Sequence, residues 1–264
     1  MSCKLSKRKD VLMAEQAAPS LEGWFCLHLF WKIDWAKWRR VSQGERRECL
    51  DEFKALAAQL DTVQSRGEGS HYWCQVNGQK ADLGLMVLSE TLEQLQEVET
   101  SLEKLRLSDY LEPTISYVSV TEVGLYSGKP TTDRGWSYVN ASLHPKTPDK
   151  PYICFYPMSK TRVPGANWYT LPYDQRKAYM HDHGKIGRSY AGKVSIILTG
   201  SIGLDDYEWG VTLFADDPVQ FKKIVTEMRY IEASSIYGEF PYFLVGTQAD
   251  PERIDKLLTD QLGQ

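Results

Sequence analysis

The chemistry-bearing side chains of this chain crowd into its second half. Tyr156-Pro-Met-Ser-Lys160, Asn167-Trp168-Tyr169, Met180-His-Asp-His183-Gly184, Gly187-Arg188-Ser-Tyr190 and Gly203-Leu-Asp-Asp-Tyr-Glu-Trp209-Gly210 supply phenols, indoles, an ammonium and imidazoles within a short span. His183 is expected at the end of a helical segment, with Gly184 at the position that favours a left-handed cap. An imidazole there can bond the last carbonyls and meet the negative end of the helix dipole, or it can present its second nitrogen to a metal. For Tyr156 and Lys160 the plain alternatives are an edge-strand tyrosine and a solvated lysine.

Zinc is disfavoured, because His71-x2-Cys74 is an isolated pair with no second pair to complete four ligands. A single histidine facing an aromatic-rich pocket suits haem iron better. The glycines Gly184, Gly187 and Gly192 lack the spacing of a dinucleotide fingerprint and follow a helix where that motif follows a strand. No Gly-x-Ser-x-Gly, Walker or paired Cys/His pattern supports a hydrolase or kinase reading.

These residues must be held by elements that occur twice. Asp82-Leu-Gly-Leu-Met-Val-Leu-Ser-Glu aligns without gaps on Glu208-Trp-Gly-Val-Thr-Leu-Phe-Ala-Asp, pairing Gly84 with Gly210 and Leu88 with Phe214. Phe25-Cys26-Leu27 finds its counterpart in Ile153-Cys154-Phe155 at nearly the same displacement. Each half reads strand, helix, strand, strand, helix, strand. Ser42 with Glu45 predicts a capping box. Asn77-Gly78 predicts a hairpin, and Asp217-Pro218 and Asp250-Pro251 predict helix starts. The expected fold is α+β: two tandem ferredoxin-like βαββαβ repeats whose sheets close against each other into a barrel. Residues 1–20 are expected to form a mobile arm, 21–126 a structural repeat, 127–150 a connector, and 151–264 the repeat that carries the pocket.

Composition bounds the setting. The chain has 264 residues, with 31 basic against 35 acidic, so no global basic field exists to hold nucleic acid. Five widely spaced cysteines without a CxxC indicate reduced thiols, not a disulfide framework. No apolar run is long enough for a membrane span, and no apolar core follows the basic N-terminus, so a cytoplasmic protein is expected.

The motifs Tyr156-Pro-Met-Ser-Lys160, Asn167-Trp168-Tyr169-x-Leu-Pro, His183-Gly-x-Ile-Gly-Arg-Ser-Tyr-x-Gly-Lys193, Gly203 through Asp217 and Thr226-Glu-Met-Arg229 resemble the chlorite dismutase-like haem proteins. They are most similar to the coproheme decarboxylase branch, over about residues 20–250. The resemblance implies a cytosolic homopentamer that uses hydrogen peroxide to remove two propionate carboxyl groups of iron coproporphyrin III as CO2, leaving haem b. It also implies His183 as iron ligand, Tyr156 as redox tyrosine and Lys160 beside the reacting carboxylates. Met158 and Trp168 would be pocket wall, and Ser234 a propionate contact. Two positions depart from the pattern. Ile196 stands where the decarboxylases carry Gln and chlorite dismutases carry Arg, which disfavours chlorite chemistry. Ser142 falls where the family places a propionate-holding arginine. These departures motivate an alternative: a haem-binding paralogue, sensory or non-catalytic.

Overall fold

The computed structural model describes residues 17–259. In chain order the main elements are β1 (Ser20–Ile33), α1 (Trp35–Trp38), α2 (Gln43–Ser65), β2 (Gly69–Asn77), β3 (Leu83–Ser89), α3 (Leu92–Glu103) and β4 (Leu111–Gly124). There follow α4 (Asp133–Leu143), β5 (Tyr152–Lys160), the short β6 (Arg162–Val163) and β7 (Ala166–Asn167), α5 (Tyr173–Ser189), β8 (Val194–Gly200) and β9 (Trp209–Ala215). The chain ends with α6 (Val219–Met228), α7 (Glu232–Ser235), β10 (Gly238–Glu239), β11 (Leu244–Gln248) and α8 (Pro251–Thr259). The N-terminal arm expected over 1–20 lies, up to residue 16, outside the described residues. The stretch expected as a plain connector contains α4, whose Gly135 N–H donates to Thr132 Oγ1 at 3.1 Å.

All the main strands pair antiparallel, in the order β10-β5-β11-β2-β3-β1-β4-β8-β9, and β9 pairs back onto β5 so that the ladder returns on itself. One face of this sheet surrounds a core that includes Cys26, Phe30, Met86, Tyr117, Phe155 and Phe214. The opposite face is covered by helices: α2, α3 and α8 over the first-half strands, α5 and α6 over β5, β8 and β9. The paired glycines have a common cause. A Cβ at Gly84 would lie 2.6 Å from the Phe30 ring, and one at Gly210 would lie 2.9 Å from Tyr117 and 3.3 Å from Phe155. Both positions are glycine because an aromatic ring in the enclosed core uses the space.

The register corrects one expected pairing. Leu27 opposes Val87 and Cys154 opposes Leu213. Val87 and Leu213 stand at the same offset from Asp82 and Glu208, so the structural counterpart of Cys154 is Leu27, not Cys26. Cys26 faces the enclosed core, whereas Cys154 faces the helices. A one-residue slip exchanges the two faces of a strand. By the same register Leu29 stands in the place of Tyr156.

Helix ends follow the expected chemistry with two exceptions. Asp217 accepts from Val219 N–H at 3.0 Å and Asp250 from Arg253 N–H at 2.7 Å. At α2 only half of the expected capping box forms. Ser42 Oγ accepts from Glu45 N–H at 3.2 Å, but the Glu45 carboxylate accepts from Tyr110 instead of the cap backbone. The reciprocal box is at Thr91 and Gln94, opening α3. The second exception is at His183. The helix does not end there: α5 runs on to Ser189, Gly184 stays helical, and the left-handed glycine is Gly192. Ile186 and Tyr190 on the next turns pack against the sheet, and this burial outweighs the roughly 1 kcal/mol that a mid-helix glycine costs.

Candidate functional site

Strand alternation sets one wall. Tyr156, Met158 and Lys160 alternate along β5 and so share a face, the one that α5 and α6 cover. Pro157 interrupts this strand without breaking a ladder, since β11 pairs only as far as Phe155. Tyr156 is buried beside Phe243, with ring centroids 4.7 Å apart, and Phe240 at 5.9 Å. Burial pushes its phenol well above the usual range, so it keeps its proton at any physiological pH.

Lys160 is buried at the end of the strand. Its Nζ donates to Ala233 O at 2.5 Å and stands 4.4 Å from the Trp168 ring centroid. Its backbone N–H donates to Glu208 Oε2 at 2.7 Å. Burial, only partly opposed by Glu208, pushes the ammonium down to about 8. Ser234 is buried in α7, next to the carbonyl that Lys160 holds.

The Asn167-Trp168-Tyr169 motif is a self-capped turn. Asn167 Oδ1 accepts from Tyr169 N–H at 3.0 Å, and Trp168 N–H donates to Thr161 O at 3.0 Å. Trp168 is thereby held buried against Tyr237 (5.5 Å) and Tyr179 (6.4 Å). Arg176 fastens this turn to α5, its Nη1 donating to Leu171 O at 3.2 Å and Tyr169 O at 3.4 Å. Neither Arg176 nor Glu208 stood out as a site residue in the sequence. The available signal for Arg176 is its spacing, seven residues before His183 and hence on the same helix face.

His183 sits on that face of α5 with Ile186, Gly187 and Tyr190. Its Nδ1 is buried and has no hydrogen-bond partner. Burial first, and the Lys160 charge second, push the imidazole down to about 4, so it is neutral at physiological pH with a lone pair to offer. A Cβ at Gly187, one turn on, would meet nothing within 4 Å. On β8, Ile196 and Leu198 oppose Leu213 and Val211, which places them on the Tyr156 face of the sheet. They are 44% and 39% exposed, an uncovered apolar surface in a patch otherwise closed by helices.

The structure therefore brings Tyr156, Met158, Lys160, Trp168, His183, Ile196 and Ser234 to one side of one sheet and its covering helices. Ser142 is elsewhere: it lies on α4, which packs on β1 and β4, and its Oγ donates to Tyr138 O at 2.9 Å. His71 and Cys74 project to opposite faces of β2. His71 pairs with Asp61 at 3.4 Å, and Cys74 lies in the enclosed core. Cys26, Cys49, Cys74 and Cys154 are buried free thiols.

A sheet closed by β5–β9 pairing, with helices outside, is an α+β fold of the chlorite dismutase type. Residues 46–249 match the family profile described as chlorite dismutase, and the chain belongs to that family. Among solved structures it is similar to a heme-binding protein from Thermus thermophilus. The two share 41% identity over 92% of this chain and 98% of the other, with a TM-score of 0.88. A mutant chlorite dismutase from Candidatus Nitrospira defluvii has 21% identity over 90% and 96% of the two chains, with a TM-score of 0.72. That enzyme in complex with imidazole has 20% identity over 96% and 100%, again with a TM-score of 0.72. The likeness to the Nitrospira enzyme extends to the fold alone.

Proposed function

We propose that this protein binds iron porphyrin through His183 and decarboxylates two propionates of iron coproporphyrin III with hydrogen peroxide, yielding haem b. The observation that carries the proposal is the buried, neutral, unpartnered His183 Nδ1 near Lys160, on the side of the sheet that also bears Tyr156 and the uncovered apolar strip of β8. A flat apolar ring with carboxylate arms fits that combination. The strip at Ile196 and Leu198 and the open space over Gly187 would receive the ring, and the ammonium of Lys160 would meet a carboxylate. The heme-binding protein from Thermus, at 41% identity, supports the haem part of the reading.

Bound iron supplies the reduction of peroxide. The rest falls to the chain. Lys160 holds a propionate carboxylate, losing part of its desolvation penalty as it gains that charge partner. Tyr156 keeps its proton on Oη through burial and would exchange a hydrogen atom with the propionate side chain. Trp168, Met158 and Ser234 shape the wall around that arm and exclude water from it. The carboxyl group of each propionate leaves as CO2, two hydrogens of the side chain go to one H2O2 to give two H2O, and a vinyl group remains. The reading includes two ferredoxin-like repeats, 21–126 and 151–264, joined by 127–150. It also includes assembly as a homopentamer in the cytoplasm. Among the described residues no helix is long and apolar enough to cross a membrane.

The test is to mix the protein with iron coproporphyrin III, follow the Soret band, titrate with hydrogen peroxide and identify products by mass spectrometry. Stepwise loss of two carboxyl groups is expected. A second reading, a haem-binding protein without this turnover, is favoured by Ile196, which offers no donor to a small ligand on iron, and by the position of Ser142. Tight binding of haem b with coproheme left intact by peroxide would establish it in place of the first.

A further inference from the structure

A sizeable cavity lies not beside His183 but in the other half. It has a volume of about 480 Å3 and lies between the sheet, where β4 lines it from Leu111 to Ser116, and the end of α3, walled by Leu29, Phe53, Trp73 and Leu102. Its size falls within the range of small-molecule pockets. Phe53 and Trp73 meet edge to face at 5.0 Å, and Trp73 Nε1 is a buried donor with no partner.

Its place in the fold is the counterpart of the Tyr156 site. Leu29 opposes Leu85 as Tyr156 opposes Val211. Measured from Asp82 and Glu208, Ser108 on the cavity wall has the offset of Ser234, and Glu103 has that of Arg229. The charge is thus reversed. Where the second half presents Lys160 and Arg229, this cavity is rimmed by Glu99, Glu103 and Asp109. None of the three has a salt-bridge partner among the described residues. Two cations lie between them in the chain: Arg106 is already held by Glu52 at 2.8 Å and by Glu48, and Lys104, exposed at the end of α3, is not among the residues that line the cavity.

Independently of what the His183 side binds, we propose that this cavity is a second ligand site, selective for an organic cation with an apolar body. Aliphatic and aromatic walls remove the body from water, and the carboxylate rim receives its head. A carboxylated ligand of the same shape meets repulsion from all three rim groups.

An isosteric series tests the selectivity: 4-phenylbutylammonium, 4-phenylbutanol and 4-phenylbutyrate, titrated calorimetrically into the full chain with and without iron coproporphyrin III. The ammonium should bind roughly tenfold more tightly than the carboxylate at low ionic strength, the gap narrowing with salt. Porphyrin should leave this preference unchanged, since the two sites are separate. A double variant, Glu99→Gln with Glu103→Gln, should bring the ammonium down towards the alcohol, while Leu29→Phe should weaken all three by filling the cavity. If Leu29→Phe fails to fold, the rim double variant still decides, because it changes only surface charge. Equal affinities across the series, no binding at millimolar probe, a preference that survives the double variant, or displacement of the probe by porphyrin would each overturn the proposal.

Discussion

Lys160 and His183 are two buried basic groups: burial first, and the Lys160 ammonium second, hold His183 neutral, whereas Lys160 itself is pushed down by burial against the pull of Glu208. An ammonium that burial pushes down is a cost to the folded chain until an anion pairs with it. Lys160→Met should therefore leave the ligand-free protein at least as stable, within about 1 kcal/mol in urea unfolding, while weakening coproheme more than haem b. Equal weakening of both porphyrins would place Lys160 away from the reacting carboxylates. Tyr156→Phe removes only a hydroxyl and keeps the ring against Phe240 and Phe243. It should bind coproheme normally and yield no haem b when peroxide is titrated. Product formed at the wild-type rate would assign hydrogen transfer to another residue, such as Trp168 or Tyr169.

Helix α5 is the element on which the site depends, and its glycines mark where the chain leaves room. Gly187 has helical backbone and open space above it on the face of His183. Gly187→Ala should raise the stability of the ligand-free protein by about 0.5–1 kcal/mol through lost backbone freedom in the unfolded chain. Gly187→Leu should fill the space and abolish the Soret shift; a leucine variant that still binds porphyrin normally would mean that the ring does not lie over this turn. On the sheet the opposite holds. A Cβ at Gly84 would also come within 2.8 Å of Cys74 Sγ, so neither ring nor thiol can move aside easily. Gly84→Ala should cost roughly 1–3 kcal/mol by overpacking, measured as a fall in the urea midpoint.

At the scale of the molecule, the two halves meet inside the closed sheet. His28, from the first half, shares a hydrogen bond of 2.9 Å with Thr212 and stacks on Phe155 at 4.0 Å. Complete burial pushes His28 down to about 3. Between its unfolded value and that folded value the unfolded chain binds the extra proton. The stability tied to neutral His28 is therefore fully present above the unfolded pKa of about 6.5 and is lost as pH falls towards 3. Urea midpoints should fall between about pH 7 and about pH 4.5, with roughly 2 kcal/mol attributable to this group. His28→Gln, which can still bond Thr212, should flatten the slope. A slope unchanged in that variant would assign the acid sensitivity elsewhere, first to His183.

What the sequence by itself determined was local and periodic: the order of strands and helices within each half, though not α4 between them, the repeated Asp82 and Glu208 stretches, the Asp217 and Asp250 caps, and the concentration of polar and aromatic motifs after Tyr156. These follow from propensity, alternation and short-range hydrogen bonding, which act over a few residues. The tertiary structure decided what depends on partners distant in the chain. The helix through His183 continues past Gly184 because Ile186 and Tyr190 find the sheet to bury against, which no local signal records. The faces of Cys26 and Cys154 differ because strand register sets them, and register is chosen by pairing. Glu208 gains its role only when the end of β5, 48 residues away, is brought beside it. The acidic cavity of the first half is beyond any motif, because Glu99, Glu103 and Asp109 surround one space only after α3 is packed on β1 and β3.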